Sequence, residues 1–189
     1  DYFAPEGILR GVVEEPKRVD QVLANSLAFI TAMAPTAMTI VATPIVLEPE
    51  YRALANSVGI LDTIKNSGAF KAGTSGADTI PELAAFGERV TYVTGKVGFN
   101  AFSNTSLDTV LKGRDITDVL VAGMVTSLCI DSTGRAAYER GARFVDVFYA
   151  DQWVKRERLL HGDPETFTYI PPWMIDRAMY FSDEGAARI

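Results

Sequence analysis

One histidine and one cysteine in 189 residues exclude more than any other feature of this chain's composition. A lone His161 cannot furnish the two or three imidazoles on which many zinc sites are built. A lone Cys129 cannot form an internal disulfide and suits a reducing compartment, so a cytoplasmic location is expected. Positive charge is also in short supply: 18 basic side chains stand against 24 acidic ones, net −6, with a pI near 4.8. That balance gives no footprint for nucleic acid or an anionic membrane. No apolar run approaches the roughly 18 residues that span a bilayer, and no signal-peptide pattern is present. There is no internal repeat or low-complexity tract, and the length serves one well-buried core better than two. A single domain over 1–189 is expected.

What is present is an alternation of helical and strand-like periods. From Pro16 to Met33 the residues Val19, Val22, Leu23, Leu27, Ile30 and Met33 follow one helical face, with Pro16 at the first turn and Pro35 as a stop. Residues 38–47, MTIVATPIVL, are apolar on both faces and rich in β-branched side chains, as an interior strand of a parallel sheet would be. Glycine-punctuated pieces follow, such as 59–64 and 80–86. A short strand over Val90–Val93 then delivers Lys96, and a helix is expected from about Thr105 to Lys112. Another strand begins at Val119, and ARFVDVFYAD reads as the last clear one. Strands alternating with helices make this an α/β chain with a mostly parallel sheet and helices on both faces, a three-layer α/β/α arrangement.

The chemistry is concentrated in Val119–Asp131, VLVAGMVTSLCID. An apolar strand ends at Gly123. Cys129, Ile130, Thr133, Ala136 and Ala137 then recur at helical spacing, until Gly141 ends the pattern as a C′ residue. With Thr126 or Ser127 as N-cap, Cys129 falls in the first helical turn. There the helix dipole and free backbone N–H groups favour a thiolate and offer donors to an oxyanion. The alternative is a small buried helix residue with no chemistry. GTSGAD, residues 73–78, lacks the Gly-Lys-Ser/Thr ending of a phosphate loop and reads better as a loop walling a pocket. Beyond residue 151 the chain holds a charged helix-like stretch and then TFTYIPPWMI. This aromatic, proline-bearing tail over 152–189 is expected to cover the domain or to dock on another subunit, hence a homo-oligomer, dimer or tetramer.

Two motifs resemble the isochorismatase-like cysteine hydrolases, which include nicotinamidases, N-carbamoylsarcosine amidase and the ureidoacrylate and biuret amidohydrolases. KVGFNAFSNTSL, Lys96 to Leu107, is similar to the family's lysine motif, and AGMVTSLCIDSTGRAAYERGARF, Ala122 to Phe144, to its nucleophile turn, helix and following strand. The opening DYFAPEG is a weaker match to the end of the first-strand motif. The resemblance implies a six-stranded sheet and a Cys-Lys-Asp triad, in which Cys129 is the nucleophile and Lys96 the cation beside it. It also implies an oxyanion hole from the backbone N–H groups of Val125 and Cys129 and a cis peptide at Met124–Val125. Tyr2, Phe99 and Phe102 would line the substrate pocket, with Glu48 or Arg52 reading a polar end of the substrate. The family's aspartate would precede Asp1, so the first strand is expected to be missing and the chain to be part of a longer one.

Where nicotinamidases carry an Asp-x-His metal cluster, this chain reads TPIVLEPEY, so the expected activity needs no metal and no other cofactor. The reaction implied is hydrolysis of a C–N bond in a small amide, carbamoyl or ureido compound through a thioester. Two other readings stand beside it: a catalytically silent binding or structural subunit, and a protein whose cysteine responds to oxidants.

Overall fold

The computed structural model describes residues 1–10, 16–124, 126–142 and 144–149, which belong to one compact unit, Asp1–Asp151. The tail from residue 152, with its expected role in an oligomer, lies outside the described residues. Among the described residues, five α-helices and four strands follow in order: α1 (Pro16–Met33), β1 (Ile40–Ala42), α2 (Ile60–Ser67), α3 (Pro81–Ala84), β2 (Val90–Tyr92), α4 (Leu107–Lys112), β3 (Asp118–Gly123), α5 (Asp131–Glu139) and β4 (Phe144–Tyr149). β1 pairs in parallel with β2, Ile40 opposite Val90. β3 pairs in parallel with β4, from Asp118 opposite Phe144 to Gly123 opposite Tyr149. Parallel partners need crossover connections, and α2 and α3 lie on the first while α5 lies on the second. The α/β class is as expected; among the described residues the strands make two parallel pairs, against the six strands implied by the resemblance.

α1 spans the residues its periodicity predicts, whereas the strand expected over 38–47 is cut to three residues. After Ala42 the chain reaches Pro44, which has no N–H to give a ladder, and only single parallel bridges continue it, Ile45 to Lys96 and Leu47 to Lys71. The joint between α1 and β1 is held from a distance. Arg89 donates from Nε to the Ala34 carbonyl (2.6 Å) and from Nη2 to those of Met33, Thr36 and Met38. One guanidinium thus satisfies carbonyls that a helix end leaves without partners. α5 stops differently, in a Schellman turn: Gly141 at φ 87° donates to Tyr138 and Ala142 to Ala137, with Gly141 where the sequence places it.

Two apolar clusters fill the interior. The first gathers Leu9, Leu47, Tyr51, Leu54, Ile64, Ala69 and Phe70, with Tyr2, Ile45 and Val97 packed against it. The second gathers Val93, Ala101, Phe102, Leu107, Ala136 and Ala137, with Val41 of β1 and Val119 of β3 against it, so both strand pairs rest on it.

Candidate active site

Cys129 follows β3 by six residues. Gly123, at φ 121°, turns the chain at the strand's end, and residues Thr126–Ile130 form a single turn of π-helix that runs directly into α5. The sequence predicts an ordinary first turn of α-helix; the wider π spacing is the difference, and such turns recur at functional sites. The thiol is half-buried and free. Val125 lies outside the described residues. So do the expected Met124–Val125 cis peptide, half of the expected oxyanion hole and the side chains of Thr126 and Ser127.

Lys96 sits four residues beyond β2, where Ile45 pairs with it, and Gly95 beside it has φ 103°. The Asn104 carbonyl crosses so close to Gly95 that a Cβ there would collide with it, which explains a glycine next to this lysine. Lys96 is only 5% exposed as a residue, and among the described residues no ion pair reaches its side chain. Its neighbours Ile45 and Val97 pack on the cluster that also holds Tyr2.

Tyr2 packs against the first cluster. Its ring lies 5.5 Å from that of Phe70, tilted by 50°. Burial first, and then the charge of a nearby Cys129 thiolate, raise its phenol above the ordinary 10.0. Phe99 is partly buried on the loop after Lys96. Phe102, also expected to line the pocket, is 7% exposed and lies beneath the Arg140 guanidinium at 4.8 Å. Arg140 is eleven residues past Cys129, roughly 16 Å along a helix axis. The suggested substrate readers are also used otherwise. Glu48 accepts the Ala53 N–H at 3.0 Å as a cap on the turn Arg52–Leu54, and the Arg52 side chain is 80% exposed.

Residues that the sequence reading passed over hold these parts together. Thr133, buried in α5, accepts the Ala101 N–H (3.0 Å) and points its hydroxyl at the Phe99 carbonyl (3.5 Å), tying the loop after Lys96 to the helix after Cys129. Its polar side chain among Cys129, Ile130, Ala136 and Ala137 on an inward face was the available signal. Within the loop, Asn100 accepts the Phe102 N–H and Thr105 accepts that of Leu107 at the start of α4. A cavity of about 270 Å³ opens at the far end of α5, lined by Phe102, Asp108, Lys112 and Arg140 among others, but not by Cys129 or Lys96. Among the described residues no three of His, Cys, Asp and Glu gather as metal ligands would, and no helix is long and apolar enough to cross a membrane.

A solved N-carbamoylsarcosine amidase from Thermoplasma acidophilum is similar in fold, with a TM-score of 0.58 at 17% identity over 82% of this chain and 89% of that one. A cysteine hydrolase from Pseudomonas syringae pv. phaseolicola aligns with a TM-score of 0.55 at 21% identity, covering 68% of this chain and 58% of that one. Among curated proteins, the ureidoacrylate amidohydrolase of Methylobacterium radiotolerans is 38% identical over 48 residues, 25% of this chain. The match spans 19% of that relative's length. The sequence profile described as "Isochorismatase domain" matches residues 3–147, so a strand–turn–helix bearing Cys129 and the strand end bearing Lys96 both fall inside it, and the chain belongs to the isochorismatase family.

Proposed function

We propose that this protein is a metal-independent cysteine hydrolase that cleaves the C–N bond of a small amide, carbamoyl or ureido compound through a thioester. The observation that carries the reading is the buried Lys96 past the end of β2 in a chain whose single thiol stands on the turn between β3 and α5, both inside the matched family profile. Amidase relatives of the same fold support it.

The Cys129 thiolate attacks the carbonyl carbon, and the negative charge that develops on oxygen is met by N–H groups of the turn, Val125 and Cys129 being the candidates. Lys96 gives a proton to the departing nitrogen, so ammonia or an amine leaves and the acyl group stays on sulfur. A water then attacks the thioester carbon, the neutral Lys96 amine takes its proton, and the thiolate departs as the acid is released. The ammonium and the free thiolate are thereby restored. Tyr2 and Phe99 form apolar walls, and TPIVLEPEY has no histidine with which to hold a metal.

Intact-mass measurement after early quenching, across a panel of small amides and ureido compounds, tests the reading. An acyl increment on the wild-type protein, absent from Cys129→Ala and accompanied by release of ammonia or amine, is expected. No increment and no amine across the panel would favour a silent binding subunit. Reversible oxidation of Cys129 without hydrolysis would favour the redox reading.

A further inference from the structure

The stretch that carries Lys96 is bonded largely to itself. The Asn100 carboxamide oxygen accepts the Phe102 N–H at 2.9 Å, the Asn100 carbonyl accepts the Ser103 N–H at 3.2 Å, and the Thr105 hydroxyl donates to the Ala101 carbonyl at 2.6 Å. Asn104, in the left-handed region at φ 59°, brings its carbonyl against Gly95. Each of these contacts lies within residues 95–107. The Ala101 N–H does not: its acceptor is the Thr133 hydroxyl of α5, at 3.0 Å and buried, and the same hydroxyl faces the Phe99 carbonyl at 3.5 Å. Thr133 stands four residues after Cys129, and Ala101 five after Lys96. Around this bond Ala101 packs with Ala136 and Ala137 in the second cluster. A valine would fill the place of Thr133 equally well, so the hydroxyl is there for a reason other than shape.

We infer that Thr133 is a positioning residue: by holding the Ala101 N–H and facing the Phe99 carbonyl it fixes the Lys96 loop against the helix that follows Cys129, and so sets the spacing of amine and thiol. Thr133 touches no reacting atom. Apolar contact between small side chains is non-directional and lets one surface slide on the other, whereas a hydrogen bond fixes a point and a direction. The step that depends on that point is the one in which the C–N bond breaks while a proton passes to its nitrogen, since thiol and amine must then serve one substrate together. The role in turnover rests on the hydrolase reading above; the spacing itself does not.

The test needs no substrate. o-Phthalaldehyde condenses with a neighbouring amine and thiol to a fluorescent isoindole: nitrogen bonds to both aldehyde carbons, sulfur to one, and two waters leave without any oxidant. A site that admits a small carbonyl compound to this pair admits the dialdehyde. The wild type should form one isoindole, seen by fluorescence and intact mass and absent from Cys129→Ala and Lys96→Met. Thr133→Val, still folded, should form it about tenfold more slowly, and Thr133→Ser within about twofold of wild type. Turnover of the amide panel should fall and recover in parallel. A Thr133→Val that crosslinks at the wild-type rate, whatever its urea midpoint, would overturn the inference, as would a Thr133→Ser as slow as the valine variant or a wild type without the Lys96-dependent isoindole. Should Thr133→Val not fold, Ala101→lactic acid removes the same N–H from the loop side and leaves no buried donor unpaired. A comparable slowing there supports the inference and a wild-type rate refutes it. A wild type that forms the isoindole but hydrolyses nothing in the panel defeats the hydrolase reading and leaves the crosslinking result to decide the spacing.

Discussion

Cys129 and Lys96, the proposed catalytic pair, are carried by parts of the chain that are built in different ways. The thiol is delivered by a contiguous unit, β3, the π turn and α5, in which each step follows the last along the chain. The ammonium is delivered by a mostly irregular stretch in which order comes from distant partners: Asp1 reaches Phe70, Leu47 pairs with Phe70 and Lys71, Tyr51 reaches Ala69, and Ile45 pairs with Lys96. Loops can be as well determined as helices when their backbone groups find such partners. The two halves should accordingly break in different ways. Damage to the first moves a nucleophile, whereas damage to the second releases whatever fixes the cation and the pocket wall.

The largest expected effect separates activity from stability within the loop-built half. Lys96→Met keeps the aliphatic stem and removes the charge, so amide hydrolysis should fall by about 100-fold or more if Lys96 moves the proton to the leaving nitrogen. The fold should not suffer. Lys96 is 5% exposed as a residue and no ion pair reaches its side chain among the described residues, so an apolar chain of similar length should leave the melting temperature unchanged or raise it. Parallel kinetics and thermal unfolding decide the matter. A variant that loses stability and activity together would mean that Lys96 is a structural charge.

The next test cuts the tie between the halves. Thr133→Val preserves shape but leaves the buried Ala101 N–H without its acceptor, a loss of about 1–3 kcal/mol, to be read from the urea midpoint. Thr133→Ser restores the oxygen and should recover most of it. An unaltered midpoint for the valine variant would show that the Lys96 loop is held by apolar packing alone.

That contrast also explains what could be read in advance. The turn bearing Cys129, the extent of α1 and the stop at Gly141 were legible because they depend on residues within a few positions of one another: an apolar run before Gly123, helical spacing after it, and a glycine where φ must be positive. The grip on Asp1 was not legible, since nothing near DYFAPEG announces a donor 69 residues away at Phe70. The four-carbonyl clamp of Arg89 was hidden for the same reason. MTIVATPIVL misled in length because its composition suits a buried strand throughout, while continuation depends on what lies beside it, and past Ala42 only isolated bridges do. For Phe102, motif position says which residue is aromatic but not which way its ring turns, and the contact with Arg140 was not legible.

The smallest effect probes a single bond of the loop-built half. Tyr51 is itself in the left-handed region at φ 52°, and its buried hydroxyl donates to the Ala69 carbonyl at 2.9 Å, next to the strained Phe70. Tyr51→Phe deletes the donor, keeps the ring and should cost about 1 kcal/mol at neutral pH. The pH dependence sharpens this. Burial raises the Tyr51 phenol above its ordinary 10.0, so the unfolded chain loses this proton more readily than the folded one. Its contribution to stability is then complete below about pH 10 and declines as pH rises through the raised folded value. The phenylalanine variant lacks that declining term, so the gap between the two proteins in urea midpoint should narrow above pH 10. A gap that stays constant up to the alkaline limit of folding would show that Tyr51 contributes through its ring and its backbone conformation, with the bond to Ala69 adding nothing measurable.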